Sequence, residues 1–347
     1  MGKFVMGMLC HSRPIHTALT LGYVFANKSD NTDFHAFYGV PEDGEHKSPS
    51  LLNMLNPLES SGYLTLHYLP EKFPKNTGGN VDNLMYTLHG LEGYDCYFKI
   101  DDDVLIGPST DEKLARFLLD PALEESKVLM LAGQAVRQHM QGPGAFGWDM
   151  KIGDTTFVTR RNGMSPMETF VAVSYHMLPH LKRAGYRTGC ENAPGTFGPY
   201  SKKLFLSGAK AALVLYPNIC MQHIGLTCTT GDSDTVVGRA WAPATHWTPA
   251  GKTIEVPHFN FPEWESAHIA KTQKQFALEV LSKLHQSTMT FTDTAGNQAI
   301  QTVIHGLEKY EPGVGDVDLP AGKPAGRFAR RNIARQRTLM RPVRGRR

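Results

Sequence analysis

Three consecutive carboxylates, Asp101-Asp102-Asp103, stand between the apolar runs Tyr97–Ile100 and Val104-Leu105-Ile106. Left bare, such charges repel one another. A hard divalent cation relieves that repulsion, because carboxylate oxygens are the ligands that Mg²⁺ and Mn²⁺ prefer, and a cation held there grips phosphorylated substrates. The same triplet also reads as a solvated acidic turn closed by side-chain hydrogen bonds to its own backbone. His223 lies in PNICMQHIG, Pro217–Gly225, just past another apolar run. A neutral imidazole suits a borderline metal such as Mn²⁺, although a lone histidine is more often structural and this chain has 15 of them. The stretch Asn76–Asn83, NTGGNVDN, offers small and amide residues that let a backbone approach a nucleotide; it also reads as an ordinary loop and helix cap. A second acidic spacing, Asp232-Ser233-Asp234, follows no strand and reads as a turn. Trp148 and Trp241 offer flat faces for a sugar or a base, or for local packing.

The elements that would position these residues alternate. Phe4–Leu9 reads as a buried strand, His16–Asn27 as a helix, Phe34–Val40 and Leu64–Leu69 as strands, and Asn80–Leu91 as a helix. Tyr97–Ile100 reads as a fourth strand, Glu112–Leu119 as a helix and Val128–Ala132 as a further strand. This succession predicts an α/β fold on a mostly parallel sheet with flanking helices. Ligands of open parallel sheets sit beyond the carboxyl ends of the strands, and His11–Arg13, Pro41–Gly44 and Asp101–Asp103 fall at such ends. Residues Gln134–Gly163, Gly-rich with Phe146 and Trp148, read as an irregular substrate loop. Phe170–Arg183 reads as a helix, Gly195–Leu206 as another, Ala211–Tyr216 as a strand and Gly231–Phe261 as mostly loop. Glu263–Gln286 is the most amphipathic helical stretch, suited to core packing or a dimer surface. Pro312–Pro324 has the composition of a linker.

The composition, 41% hydrophobic and 20% charged over 347 residues, is that of a globular chain able to bury a sizeable core. No run approaches the roughly 20 apolar residues of a membrane-spanning helix. The amino-terminal stretch lacks a signal peptide's small-residue cleavage site, and five scattered cysteines without a CxxC pair argue against a disulfide scaffold or structural zinc. A reduced, cytoplasmic setting, in a bacterium or a virus-infected cell, is the expectation. The net charge of +3 conceals an asymmetry: residues 323–347 carry nine Arg, one Lys and no acid, so that the tail is +10 and the remainder −7.

The succession FVMGMLCHSRP, FYGVPEDG, NTGGNVDNLMYTL, YFKIDDDVLI and YPNICMQHIG, over roughly residues 3–230, resembles the GT-A fold nucleotide-sugar glycosyltransferases. The resemblance implies a Rossmann-like nucleotide-sugar-binding and catalytic domain over 1–230, a carboxy-terminal loop and helical extension over 231–322, and a basic, flexible tail over 323–347. It implies Mn²⁺ or Mg²⁺ held by Asp101, Asp103 and His223, with Asp101 or Asp102 also toward the ribose or base. His11, Arg13 and Asp43 stand where the family binds the nucleobase, and Asn76, Gly79 and Asn83 match its Asn-Gly stretch. Cys190-Glu191-Asn192 is the nearest match to the family's acidic pair, which makes Glu191 the candidate base, with Asn where the family commonly has Asp.

These parts fit transfer of a sugar from a nucleotide sugar, a UDP-sugar by preference, to an acceptor hydroxyl. The cation, with Arg160 or Arg161, would stabilise the departing diphosphate, and a carboxylate would deprotonate the acceptor in an inverting reaction. The tail, including Arg327, Arg330, Arg331, Arg335 and Arg337, cannot bury a core and suits phosphate backbones. It points to DNA as partner and to a hydroxymethylated pyrimidine as acceptor, in the manner of phage-type DNA glycosyltransferases. Anionic lipid headgroups or the chain's own acidic surface are the other reading of the tail. The alternatives are a polysaccharide or protein acceptor, a nucleotidyltransferase, for which Cys10-His11-Ser12-Arg13 lacks the glycines, and a non-catalytic nucleic-acid-binding protein. Oligomeric state is left open.

Overall fold

The computed structural model describes residues 2–10, 13–38, 49–68, 88, 90–133, 146–160, 170–177, 179–180, 208–214, 221–223, 245–247, 253–255, 273–289 and 295–311. Nine strands form one sheet in the order β3-β2-β1-β4-β9-β6-β10-β8-β7. Six of them, β1 (Phe4–Cys10), β2 (Thr32–Tyr38), the edge strand β3 (Thr65–Tyr68), β4 (Cys96–Ile100), β6 (Val128–Gly133) and β10 (Lys210–Val214), all run in one direction. β9 (Phe170–Ser174) runs against its neighbours β4 and β6. β7 (Phe146–Ile152) and β8 (Thr155–Arg160) close one edge as an antiparallel hairpin. The fold is therefore α/β on a mostly parallel sheet with helices packed against it.

Each buried strand owes its place to a continuous apolar run. β1, FVMGMLC, is buried at every position, as expected for a strand covered on both faces. Its even-numbered residues Met6, Met8 and Cys10 share one core with Phe34, Ala36, Phe98 and Ile100, and Val5 and Leu9 share the opposite one with Phe37, Tyr97 and Val173. On the first face lie α1 (Pro14–Asn27), α2 (Pro49–Ser60), α5 (Gln273–Met289) and α6 (Ala295–Glu308). α1 starts with Pro14 at its first position, where the missing N–H costs nothing. It is buried from Pro14 to Phe25 because α5 and α6 pack on it from the side away from the sheet. At Gly22 a Cβ would come 2.3 Å from Leu281 Cδ2 of α5. The carboxy-terminal helices thus share one core with the sheet through Ala277, Leu281, Ile300, Val303 and Leu307. α3 (Thr110–Leu118) and the one-turn α4 (Pro121–Glu125), capped by Asp120 accepting from the Ala122 N–H, lead into β6.

The structure departs from the sequence reading in identifiable places. Part of Gln134–Gly163, expected to be irregular, forms the β7–β8 hairpin, turning at Gly153-Asp154 with Gly153 at φ +55°; a Gly-Asp pair between two strands is a turn signal. Phe170–Ser174, expected to begin a helix, is β9, followed by a 3₁₀ turn at Tyr175–Met177. Its FVAVS run is short and β-branched, as in a strand buried on both faces. α2 carries Pro57 inside it and was not expected at all. The stretch expected to be loop beyond residue 231 contains a small antiparallel pair, β12 (Thr245–Trp247) with β13 (Thr253–Glu255). The expected helix Gly195–Leu206, most of Asn80–Leu91, residues 263–272 of the amphipathic stretch and the linker lie outside the described residues.

Candidate active site

The acidic triplet sits where β4 ends and the three-residue β5 (Val104–Ile106) begins. β1 and β4 are parallel neighbours with Met8 beside Ile100, so the segment after β1 and the triplet after β4 emerge together. Residue 13, at the start of α1, uses this proximity. Arg13 Nη1 donates to Asp103 Oδ2 at 2.7 Å, and Nη2 donates to Asp102 Oδ1. One turn further along α1, the Thr17 hydroxyl donates to Asp102 Oδ2 at 3.4 Å. Lys99, buried in β4, donates to Asp101 Oδ1.

The far end of α1 is tied to the same segment. Asn27 Nδ2 donates to the Ile106 carbonyl at 2.7 Å, and the Ser109 N–H donates to the Asn27 carbonyl at 2.8 Å. α1 therefore braces residues 102–109 at both ends. Asp111, fully buried at the start of α3, accepts from the Ser29 N–H at 2.9 Å and from the Thr32 hydroxyl at 2.6 Å, fixing the α1–β2 connection to α3.

The carboxylates differ in setting. Asp102 and Asp103 are nearly buried, whereas the Asp101 side chain is about a third exposed (31%). Burial pushes the carboxyl groups of Asp101 and Asp102 above the usual range, and Asp103 pushes the same way; Lys99 opposes this at Asp101, and Arg13 opposes it at Asp102. For Arg13, burial opposes ionisation, but the charges of Asp102 and Asp103 outweigh it and the guanidinium is held more firmly protonated than usual. Cys10, at the end of β1, is buried and its thiol is pushed well up by burial and by the Asp102 charge, so it is no nucleophile.

β11 (Met221–His223) pairs antiparallel with β5, with Met221 opposite Ile106, Gln222 opposite Leu105 and His223 opposite Val104. The backbone at His223 is thus brought alongside the residue that follows Asp103. The three carboxylates carry two cationic side chains bonded to them, which leaves one negative charge in excess beside the backbone of His223, and among the described residues no group of three or more His, Cys, Asp or Glu side chains is arranged to hold a metal ion.

Of the residues singled out in the sequence, Arg13, Asp101, Asp102, Asp103 and the His223 backbone come together. Arg13, expected at the nucleobase, directs its guanidinium at the acidic triplet. Asp102 is engaged on both oxygens by residues of the α1 region. His11, Asp43, Asn76, Gly79, Asn83, Arg161, Glu191, Asp232-Ser233-Asp234, Trp241 and Arg327, Arg330, Arg331, Arg335 and Arg337 lie outside the described residues. Trp148 and Arg160 belong to β7 and β8. Thr17 and Lys99 were missed. Thr17 follows Arg13 by four residues, the spacing that shares a helix face, and Lys99 is the lone charge within a buried apolar strand, a signal that a partner is near.

A scan of family models and a search of characterised proteins each found no match. Among solved structures, the chain is similar to the crystal structure of S. aureus TarS, with a TM-score of 0.41, 14% identity, and coverage of 61% of this chain and 35% of that one. It is also similar to S. aureus TarS 1–349 in complex with UDP-GlcNAc, with a TM-score of 0.42, 11% identity, and coverage of 88% of this chain and 71% of that one. The chain spans about a third of the first structure's length. With TM-scores below 0.5, neither likeness carries an argument about what this chain does.

Proposed function

We propose that this chain is a metal-dependent glycosyltransferase that moves a sugar from a nucleotide-sugar donor, a UDP-sugar by preference, to an acceptor hydroxyl. The observation that carries the reading is the convergence, at the carboxyl end of β4 in a mostly parallel sheet, of Asp101–Asp103 with the β11 strand that ends at His223. A ligand of an open parallel sheet is bound at that end. Asp101, Asp103 and His223 would hold Mn²⁺ or Mg²⁺. When bound, the ion supplies charge stabilisation to the diphosphate leaving group.

The chain's own residues do the rest. Arg13, Thr17 and Lys99 fix the triplet against its own repulsion. Glu191 takes the proton of the acceptor hydroxyl, and His11, Asp43, Asn76, Gly79 and Asn83 receive the nucleotide. The +10 tail over 323–347 favours DNA as the macromolecule carrying the acceptor, a hydroxymethylated pyrimidine. Among the described residues no helix is long and apolar enough to cross a membrane.

The decisive experiment is a thermal-shift screen of UDP-, GDP-, ADP- and CMP-sugars with Mn²⁺, since a ligand that binds only the folded chain raises its apparent stability. It is followed by acceptor-free hydrolysis of the sugar nucleotide that stabilises. The reading expects one nucleotide class to stabilise only with the metal, and hydrolysis to vanish in Asp103→Ala. Retention of hydrolysis in that variant would overturn the metal assignment. Unchanged transfer to duplex DNA after deletion of 323–347 would overturn the tail's role.

A further inference from the structure

Asn27 closes α1 at the end farthest from Arg13, and it holds the same segment that Arg13 holds. Its side-chain Nδ2 donates to the Ile106 carbonyl at 2.7 Å, and its own carbonyl accepts the Ser109 N–H at 2.8 Å. Just beyond, Asp111 accepts from the Ser29 N–H and the Thr32 hydroxyl. Residues 102–111 are thus tied to both ends of a 14-residue helix about 20 Å long. At Asp102 and Asp103 the tie is a charged fork; at Ile106 it is a single neutral amide.

β5 lies between the two ties. It is three residues long, and all three are buried. Among the described residues it pairs with β11 alone, apart from the nine-stranded sheet. So short a two-stranded ladder is marginal by itself, and its register rests on what holds β5 from outside. Ile106, whose carbonyl Asn27 takes, is the ladder partner of Met221; two residues back, Val104 is the partner of His223. Past Ile106 the chain turns through Ser109 at φ +53°, a left-handed conformation that a residue with a Cβ resists. The Ser109 side chain makes no capping bond there, and its N–H is anchored on the Asn27 carbonyl.

Resting on the glycosyltransferase reading above, we infer that Asn27 is a positioning residue of the candidate site. It pins the β5–β11 ladder to α1, and so sets where the backbone of His223 stands relative to the acidic turn. Without its donor the Ile106 carbonyl loses that partner, and the ladder opens while α1 and the main sheet stay folded. Arg13 and Thr17 still hold the turn, but the strand across from it loses its register.

The test pairs hydrogen exchange of the full chain, read by mass spectrometry, with steady-state hydrolysis of UDP-glucose and UDP-GlcNAc in Mn²⁺. Asn27→Leu keeps the side chain's shape and removes the donor; Asn27→Gln keeps an amide on a longer arm. Gly306→Ala, at the contact of α6 with Met54 of α2, controls for a general loss of stability. In Asn27→Leu the amides of Val104–Ile106 and Met221–His223 exchange roughly tenfold faster or more, while those of β1 and β6 are unchanged. Its kcat falls roughly tenfold or more with KM little moved, toward the 100-fold that a misplacement of about 1 Å costs. Asn27→Gln recovers part of both, and Gly306→Ala alters neither. If Asn27→Leu does not fold, as judged by circular dichroism, Asn27→Gln carries the comparison with intermediate effects. Unchanged exchange of the two segments overturns the inference, as does an opened ladder with full kcat, or equal opening in Gly306→Ala. A wild-type chain that hydrolyses neither sugar nucleotide overturns the UDP-sugar reading instead, and the exchange comparison alone then decides the role of Asn27.

Discussion

His223 lies opposite Val104 in the antiparallel pairing of β11 with β5, one residue beyond Asp103. Two segments more than a hundred positions apart in the chain are thereby locked in register. A shift of one residue would turn every side chain of so short a ladder to the other face. The site reading makes both residues metal ligands. Asp103→Asn and His223→Gln are then each expected to lower Mn²⁺ affinity by roughly 100-fold or more, since even partners that only orient a ligand are worth 10–100-fold. Free-ion resonance titration in the presence of UDP measures this directly. Normal affinity in His223→Gln would remove the histidine from the ligand set while leaving the carboxylates in place.

Asp102 is expected to act on stability first. Both of its oxygens are engaged, by Arg13 and by Thr17, and its side chain is nearly buried. Its removal takes away one of the two carboxylates on the Arg13 fork and the acceptor of Thr17, a charge-assisted and a hydroxyl hydrogen bond together worth about 3 kcal/mol, while Asp103 still pairs with Arg13. Asp102→Ala should therefore shift the urea midpoint strongly. Thr17→Val removes only a long hydrogen bond and should cost about 1 kcal/mol. Equal effects of the two substitutions would show that the Arg13 fork contributes little.

Strands β1–β4 and β6 are legible because buried parallel strands carry unbroken apolar runs, as in FVMGML and VLMLA, and end abruptly in polar residues, whereas α2 between β2 and β3 is not. The triplet was legible as a cluster for the same reason. Its environment was not. The pairing of Arg13 with Asp102 and Asp103 spans about 90 positions, and such a contact follows from β1 and β4 being neighbours in the sheet, which local periodicity does not encode. β9 was misread because a short, doubly buried strand and a buried helix share one apolar signature. The β7–β8 hairpin is masked in the sequence by the glycine-rich composition around it, although the Gly153-Asp154 turn that closes it is a local hairpin signal.

Gly306 marks where α6 crosses α2. A Cβ there would lie 3.0 Å from Met54 Cα, Cβ and Cγ. Two effects oppose each other in Gly306→Ala. Alanine favours the helix by about 1 kcal/mol, whereas overpacking against a backbone atom costs about 1–3 kcal/mol. The Met54 Cα has no rotamer through which to yield, so net destabilisation of about 1 kcal/mol is expected, rising in Gly306→Val. Thermal melts of the two variants decide it. A raised melting temperature in Gly306→Ala would show that the helices separate readily at this crossing.

His35 on β2 and His67 on β3 give the chain an acid-sensitive edge. His35 Nδ1 and His67 Nε2 are 2.9 Å apart, an arrangement that holds one proton between two rings and excludes a second. Burial first, and then the charge of His67, hold His35 down at about 4, against the opposing pull of Asp33. Burial likewise lowers His67, with Glu59 pulling the other way. In the unfolded chain the imidazole titrates near 6.5, so between these values the unfolded state binds the extra proton. The contribution of His35, about 3 kcal/mol by this difference, is complete above pH 6.5 and is lost as the pH falls toward 4. Urea midpoints recorded between pH 7 and pH 4.5 should fall steeply for the wild-type chain and markedly less for His35→Gln, whose amide keeps a hydrogen bond to His67 without titrating. Parallel curves for the two chains would assign the acid sensitivity elsewhere.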